Sequence, residues 1–283
     1  MRQKKRRQRI IGSIFIVVLL VLAYFSFGPG IGTHSKQRTV VVGVVSQTKQ
    51  DAAIWQAVAQ TASQKYGIHL IIKNFSDYNQ PNKALKNGDI DLNAFQHYAF
   101  LHAWNKANGG GITALGQTYV APIKIYSQKY RHLSQLPANS LVAVPNDASN
   151  ESRALYVLKS AGLIKLKRQQ LATIADITQN PKHLKIKEVS AEQSSRILDS
   201  AACAVVNNNY ATAAGLSEKE VIYTEPLTRE TRQWINIIAV RKTDRHNRNY
   251  QDILKSYQTN HVKRLMKHYY GKTQLPAWDL KMR

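Results

Sequence analysis

Short apolar runs alternate regularly with longer segments of helical periodicity along this sequence. TVVVGVV (39–45) is a continuous apolar run typical of a buried strand, and residues 51–67 follow with a helical pattern that ends at Gly67. The same order recurs at 69–75 and 81–88. Because strands that alternate with helices build α/β folds with mainly parallel sheets, we predict this class for the chain.

The alternation continues along the chain and predicts two successive α/β units. Further strands are predicted at 89–95, 112–120, 141–144, 184–189, 202–207, 221–225 and 235–242. Further helices are predicted at 97–108, 150–161, 191–200, 209–215 and 249–270. The segment 121–137 connects the two series, and the last strand and helix return to the first unit. The predicted units are 38–125 with 226–283, and 126–225.

Polar or aromatic clusters follow four of the predicted strands. They are SDYNQPN (76–82), FQH (95–97), PNDASNESR (145–153) and NNNY (207–210). Open α/β sheets bind ligands beyond the carboxyl ends of their strands. Because the clusters come from both units, the sequence predicts a ligand cleft between them.

An uncharged apolar run at 10–28 directly follows a basic segment, residues 1–9. About twenty such residues span a bilayer as a helix, and the basic flank stays in the cytoplasm. The run is long for a secretory signal and no A-x-A site follows it, so a retained transmembrane anchor is favoured over a cleaved signal peptide. Residues 29–37 form a short linker in this interpretation. The body of the chain is then predicted to lie on the extracellular side of the cell membrane.

The strong basic charge and the residue types narrow the classes of function. The net charge of +23 is typical of proteins that meet nucleic acid or other polyanions, but no zinc-finger, recognition-helix or base-stacking motif supports nucleic-acid binding. The single cysteine, Cys203, excludes an internal disulfide and a cysteine metal cluster, and its apolar neighbours favour a buried side chain over a nucleophile. No Ser-His-Asp or Cys-His set lies in a catalytic sequence motif, so we predict that the chain is not an enzyme.

Several longer motifs occur in one continuous order. They are DYNQPNKALKNGDIDLNAFQH, GQTYVAPIKIYSQKY, VAVPNDASNESRAL, AGLIKLK and AVVNNNYA. Over residues 38–275 this series resembles the NlpA-type lipoprotein family, the methionine-binding proteins of bacterial methionine ABC importers. The resemblance implies a periplasmic-binding-protein type II fold, in which two α/β lobes close on the ligand. It also implies a receptor that delivers methionine (L or D) or a methionine dipeptide to a permease with a separate ATPase subunit. The chain itself has no GxxxxGK[ST] motif.

The ligand-binding positions of that family match eight residues of this sequence: Tyr78, Phe95, His97, Phe100, Asn150, Arg153, Asn207 and Asn236. We expect Arg153 to bind the ligand carboxylate through paired charge-assisted hydrogen bonds. The asparagines offer oxygen acceptors to the ammonium group. The aromatic side chains and His97 are expected to form a sleeve around the thioether. Two departures from the family stand out, since Phe100 replaces a tyrosine and the lipid-carrying cysteine is missing.

Each of these residues also has a purely structural interpretation. Asn150 suits a helix N-cap, and Arg153 suits a surface ion pair with Asp147 or Glu151. Phe95 and Phe100 suit the core, Tyr78 suits a turn, and His97 suits a partly buried position at a helix start. Asn207 and Asn236 suit strand ends without a ligand. A second class of function also stays open. Without the seven basic residues of 1–37 the body carries about +16, which suits an exported surface-interaction protein that binds anionic wall polymers, lipids or host surfaces.

Overall fold

The computed structural model describes residues 38–280 of the chain. The predicted cytoplasmic segment (1–9), transmembrane helix (10–28) and linker (29–37) lie outside the described residues. None of the helices in the described part combines the length and the apolarity that crossing a bilayer requires.

Strands and helices alternate through residues 38–280, which confirms the prediction of an α/β fold. The strands are β1 (Arg38–Val45), β2 (Ile68–Phe75), β3 (Leu92–Asn93), β4 (Ile112–Gln117), β5 (Tyr119–Val120), β6 (Lys124–Tyr126), β7 (Leu141–Pro145), β8 (Lys165–Leu166), β9 (Ile177–Gln179), β10 (Lys185–Val189), β11 (Cys203–Val206), β12 (Val221–Thr224), β13 (Ile237–Arg241) and β14 (Leu275–Pro276). The α-helices are α1 (Lys49–Tyr66), α2 (Gln80–Asn87), α3 (Tyr98–Ala107), α4 (Ala148–Ser160), α5 (Asn208–Ala213), α6 (Arg248–Tyr257) and α7 (Asn260–Tyr270).

The strands of the described part form two five-stranded sheets and two small two-stranded ones. The first large sheet has the order β2-β1-β3-β13-β4 and the second has the order β10-β7-β11-β6-β12. In each sheet the first two pairings are parallel and the last two are antiparallel. The prediction of mainly parallel sheets was therefore wrong. The antiparallel pairings arise because β13 and β6 each enter their sheet after the chain has crossed from the other sheet.

Two short stretches carry the chain between the large sheets. We call residues 121–123 the first crossing and residues 225–236 the second crossing. The strand β6 directly follows the first crossing. The sequence pattern predicted only a connection in this segment. The strand spans the predicted boundary between the two units, which was placed between residues 125 and 126. Within the second crossing, Arg229–Trp234 forms a short 3-10 helix.

Capping residues set the observed helix boundaries. The predicted end of α1 at Gly67, with φ of 65°, is confirmed, but the helix begins at Lys49, two residues before the predicted start, because Thr48 and Asp51 bind each other's backbone in a capping box. The predicted helix at 249–270 is instead two helices, because Thr259 caps α7 by accepting a hydrogen bond from the Val262 amide.

Two further predicted elements differ from the structure. Residues 191–200 form two 3-10 turns rather than a helix, and the hydroxyl of Ser194 donates to the Ala191 carbonyl within the first turn. The predicted strand 89–95 is reduced to the two residues of β3.

Each large sheet has an apolar core against its helices. Val42 and Ile253 are fully buried between the first sheet and its helices, and Val142 and Leu155 are fully buried in the core of the second sheet. Cys203 is fully buried in β11, and burial raises the pKa of its thiol to about 12. The prediction that Cys203 is a small buried side chain is confirmed.

Gly43 in β1 has neighbours that leave no room for a larger residue. A Cβ atom there would lie 2.6 Å from Ile90 Cδ1 and 2.9 Å from Phe75 Cε2. We expect Gly43→Ala to lower the free energy of unfolding by about 1–3 kcal/mol, because overpacking forces neighbours out of their preferred positions. Urea unfolding measures this loss, and Thr39→Ala at an exposed position of the same strand is the control. A loss no larger than that of the control would contradict this packing.

Candidate ligand-binding site

All eight residues predicted from the sequence line one cavity. Tyr78 follows β2, Phe95 and His97 follow β3, Asn150 and Arg153 lie in the first two turns of α4, Asn207 follows β11, and Asn236 directly precedes β13. The other residues that line the cavity are Gln96, Tyr119, Ala121, Ile123, Asn208 and Asn209. The side chains meet because the carboxyl ends of parallel strands share one edge of a sheet, and the amino end of an antiparallel strand lies at that same edge.

Asn150 is the centre of a hydrogen-bond network at the start of α4. Its Nδ2 donates to both carboxylate oxygens of Asp147, at 3.0 and 2.9 Å. Its Oδ1 accepts from Asn207 Nδ2 at 2.8 Å and lies 3.2 Å from His97 Nε2. The helix cap is Asp147, which accepts from the Asn150 amide, so the interpretation of Asn150 as the N-cap was wrong. The side chain of Asn150 is instead held for contacts across the cavity.

His97 is buried and is held in one protonation state. Its Nδ1 accepts from the Phe100 amide at 3.0 Å, which leaves the Nε2–H to donate to Asn150 Oδ1. Burial, and to a lesser degree the nearby charge of Arg153, lower the pKa of His97 from 6.5 to about 3. The imidazole is therefore neutral at physiological pH, and its Nε2–H is a fixed donor to Asn150 Oδ1.

Asn207 carries an acceptor that the protein leaves unused. Its Nδ2 donates to Asn150, whereas its Oδ1 is buried and has no hydrogen-bond partner among the described residues. Although Asn207 stands at the N-cap position of α5, its side chain makes no capping bond. A buried acceptor without a partner costs roughly 1–3 kcal/mol, so it marks a place where a ligand donor would be stabilised.

Arg153 is buried and is fixed by contacts to both chain crossings. Its Nε donates to Glu225 Oε1 at 3.0 Å and its Nη2 donates to Glu225 Oε2 at 2.5 Å. The same Nη2 donates to the Ala121 carbonyl at 2.9 Å, and the guanidinium lies 5.0 Å from the centre of the Trp234 ring. The interpretation of Arg153 as a surface partner of Asp147 or Glu151 was wrong. Three of its five N–H donors meet acceptors within residues 38–280, and the two N–H donors of Nη1 have no acceptor there.

Three aromatic rings form a cluster at the apolar end of the cavity. The ring centres of Tyr78, Phe95 and Phe100 lie 5.5–5.8 Å apart in pairs. The Tyr78 hydroxyl donates to Asn209 Oδ1 at 2.6 Å, so its polar end is satisfied away from the other rings. Together the rings offer a soft, polarisable surface on which a sulfur atom packs well.

Buried amides behind the cavity hold the segment that carries Phe95 and His97. Gln96 Nε2 donates to Asn82 Oδ1 at 2.6 Å and to Asn93 Oδ1 at 2.9 Å, and Asn82 Nδ2 donates back to Gln96 Oε1. On the other side, the backbone of His97 pairs with that of Asn236 in an isolated bridge. The loop is therefore fixed from both sides.

Sequence reasoning missed Glu225 and Trp234, which set the position of Arg153. Each had a signal in the sequence. Glu225 is the one acidic residue that ends the apolar strand pattern VIYTE, and Trp234 precedes the expected ligand residue Asn236 by two positions. In the described part of the chain, no group of three or more His, Cys, Asp or Glu side chains could hold a metal ion.

The fold and the cavity define a protein of the ligand-binding class. The cavity lies between two mixed sheets and contains a fixed guanidinium, an amide oxygen without a partner among the described residues, and a cluster of aromatic rings. The model of the NlpA lipoprotein family matches residues 40–278. The chain belongs to the NlpA lipoprotein family.

Curated relatives match the chain over most of its length. It is 38% identical over 238 residues to the probable D-methionine-binding lipoprotein MetQ of Pasteurella multocida, covering 83% of this chain and 84% of the relative. It is 40% identical over 228 residues to the D-methionine-binding lipoprotein MetQ of Escherichia coli K12, covering 79% and 82%.

Solved structures share the fold at similar identity. The substrate-binding protein of a methionine transporter from Streptococcus pneumoniae is 41% identical, with a TM-score of 0.81 over 85% of this chain and 96% of that one. A nutrient-binding protein from Burkholderia cenocepacia, solved with bound methionine, is 40% identical with a TM-score of 0.80, over 84% of this chain and 100% of that one.

The neutral state of His97 predicts a specific loss of stability in acid. Between pH 6.5 and about 3 the unfolded chain binds a proton at this histidine that the folded chain does not, so the free energy of unfolding falls as the pH falls. We expect His97 to contribute up to about 1.4 kcal/mol per pH unit in that window. Urea unfolding of the wild type and of His97→Gln at pH 7, 5.5 and 4.5 measures this, and the variant should lose less stability on acidification.

The exposed His69 provides the control for that comparison, since His69→Gln should keep the acid sensitivity of the wild type. An acid sensitivity in His97→Gln equal to that of the wild type would mean that His97 is not held neutral by the fold.

Proposed function

We propose that this chain is the substrate-binding protein of an ABC importer and that it binds methionine for delivery to a permease with a separate ATPase subunit. The observation that carries the proposal is the presence, in one cavity, of a buried guanidinium with free N–H donors and a buried amide oxygen without a partner. An α-amino acid supplies the two groups that these atoms need, a carboxylate and an ammonium. The chain is a binding protein and not an enzyme, in line with the family to which it belongs.

The bound amino acid is assigned to the cavity as follows. Its carboxylate contacts Nη1 of Arg153. The sequence analysis expected paired hydrogen bonds from two nitrogens of the guanidinium, but Nη2 already donates to Ala121 and Glu225. Its ammonium donates to Asn207 Oδ1, and the amide of Asn236 lies in the same cavity. Its thioether packs on the rings of Tyr78, Phe95 and Phe100.

The names of the relatives support methionine as the ligand class. Two relatives are named D-methionine-binding lipoproteins, and one structural neighbour was solved with methionine. The proposal therefore covers L-methionine, D-methionine and a methionine dipeptide, since the same end groups occur in all three.

We further propose that the protein has the periplasmic-binding-protein type II architecture, with lobes 38–125 plus 226–283 and 126–225 that close on the ligand. Contacts across the cavity support this assignment. His97 reaches Asn150, the Tyr78 hydroxyl reaches Asn209, and the Tyr210 hydroxyl donates to the Ser76 carbonyl at 3.3 Å. Each bond joins a residue near the first sheet to one near the second, so these bonds would stabilise a closed form.

We also propose that the protein is held at the cell membrane by the apolar segment 10–28, with its body on the extracellular side. The support is the length of the run and its basic flank. The curated relatives are lipoproteins by name. The only cysteine of this sequence is buried in β11, so the apolar segment 10–28 takes the place of a lipid in this proposal.

Calorimetric titration of the full chain, purified in detergent and refolded from denaturant to remove carried-over ligand, tests the proposed function. The panel is L-methionine, D-methionine, glycyl-methionine and L-leucine as an amino acid without a thioether. We expect saturable binding of at least one methionine ligand and weaker binding of leucine. Binding of none of the methionine ligands would contradict the proposal.

The unpartnered oxygen of Asn207 predicts a variant that loses ligand but not stability. In Asn207→Leu the orphan acceptor is gone, and Asn150 Oδ1 keeps its donor on His97. We expect the affinity for methionine to fall roughly 10- to 100-fold, the range for a hydrogen bond to a charged group, while the urea midpoint without ligand stays the same or rises. The exposed Asn87→Leu is the matched control. Unchanged methionine affinity in Asn207→Leu would remove this residue from the site.

A further inference from the structure

We propose that Glu225 determines the specificity of the cavity, by balancing the charge of Arg153 so that a zwitterion is preferred to a simple carboxylate. This inference rests on the proposed function and adds a residue that none of the sequence motifs indicated. It concerns which end groups a ligand must carry, not the identity of its side chain.

Both carboxylate oxygens of Glu225 accept hydrogen bonds from the protein. Its side chain is 10% exposed, against 4% for Arg153. Its Oε1 accepts from Arg153 Nε, and its Oε2 accepts from Arg153 Nη2 and from the Ile123 amide at 3.1 Å. Because both oxygens are occupied, Glu225 influences a ligand through its charge and not through a direct hydrogen bond.

The pairing changes what a ligand meets in the cavity. An unpaired guanidinium in a buried site would attract any carboxylate, since charges interact strongly where water is excluded. Next to Glu225, the same guanidinium belongs to a pair with no net charge. A ligand carboxylate still gains the N–H donors of Nη1, but it also meets the repulsion of Glu225.

Asp147 and His97, two other ionisable groups near the cavity, do not offset the repulsion from Glu225. Asp147 carries the same sign as Glu225, and its oxygens are held by Asn150 and Ser149. His97 is neutral and adds no positive charge. A ligand ammonium offsets the repulsion from these carboxylates, so a zwitterion is stabilised where a plain carboxylate is not.

The position of the pair also makes its geometry rigid. Ala121 and Ile123 belong to the first crossing and Glu225 belongs to the second, and all three contact Arg153 or its partner directly. The backbone of Glu225 donates to the Ile123 carbonyl at 3.0 Å, which fixes the two crossings to each other. The two charges therefore keep their separation when a ligand enters, and the selection does not depend on a mobile side chain.

The test compares two ligands on the full chain in detergent. L-Methionine is the zwitterion, and 4-(methylsulfanyl)butanoate has the same thioether and carboxylate without the ammonium. Calorimetry gives the dissociation constant of each, directly or by displacement, and the quantity of interest is their ratio. In the wild type we expect methionine to bind much more tightly. In Glu225→Gln we expect the preference to fall roughly tenfold or more, because the attraction between the Glu225 charge and the ligand ammonium, which only methionine carries, is removed.

Two further variants separate charge from structure. Glu225→Asp keeps the charge and shortens the side chain, so the preference should stay within about twofold of wild type even if both affinities fall. Glu218→Gln removes a carboxylate that pairs with Lys124 and is 66% exposed, and it should leave the preference unchanged. If Glu225→Gln does not fold, Glu225→Asp still tests the inference. Loss of the preference for methionine over the des-amino analogue in Glu225→Asp would show that the charge alone does not set this preference.

The outcomes distinguish this inference from the proposed function. If the wild type binds neither methionine nor its des-amino analogue, the proposed function fails and the inference fails with it. If the wild type binds methionine and Glu225→Gln keeps the wild-type preference, the inference alone is overturned. A reduced preference in Glu225→Gln, with wild-type preference in the aspartate variant and in the Glu218 control, supports it.

Discussion

The buried ion pair between Arg153 and Glu225 is the interaction on which the site depends. Removing two charges from water is costly, and the cost is offset only when hydrogen bonds satisfy both partners. Here the guanidinium binds both carboxylate oxygens and the Ala121 carbonyl, and the carboxylate also accepts from the Ile123 amide. Because these partners come from α4 and from both chain crossings, the pair joins the proposed carboxylate site to the segments that connect the two sheets.

A second network joins the two sheets directly. Asp147 caps α4 and holds the amide of Asn150, which in turn accepts from Asn207 and faces His97 across the cavity. Asp147 sets the orientation of the Asn150 amide, and Asn150 sets that of the Asn207 amide. The network therefore ends in a defined atom, the oxygen of Asn207, which has no partner among the described residues. A fully satisfied network would only stabilise the fold. One that stops at a single buried acceptor is suited to receive a ligand donor.

Much of the fold and the composition of the site could be predicted from the sequence, because both depend on local patterns. Apolar runs located the long strands, and Gly67 and Gly88 located helix ends, since both residues adopt a left-handed backbone. Seven of the eight site residues come after the carboxyl ends of β2, β3, β7 and β11, and the eighth, Asn236, directly precedes the antiparallel β13, so all eight converge at that edge. The prediction failed where the outcome depends on distant partners. The antiparallel pairings of β6 and β13 follow from the crossings, and the partner of Arg153 lies 72 positions away in sequence at Glu225.

The crystal structure of the protein with bound methionine tests the proposed contacts of Arg153 and Asn207 most directly. We expect the ligand carboxylate within hydrogen-bond distance of Arg153 Nη1, the ammonium on Asn207 Oδ1, and the thioether against the rings of Tyr78 and Phe100, with the Arg153–Glu225 pair intact. Methionine bound outside this cavity, or bound within it with Asn207 Oδ1 still without a donor, would contradict the proposed site.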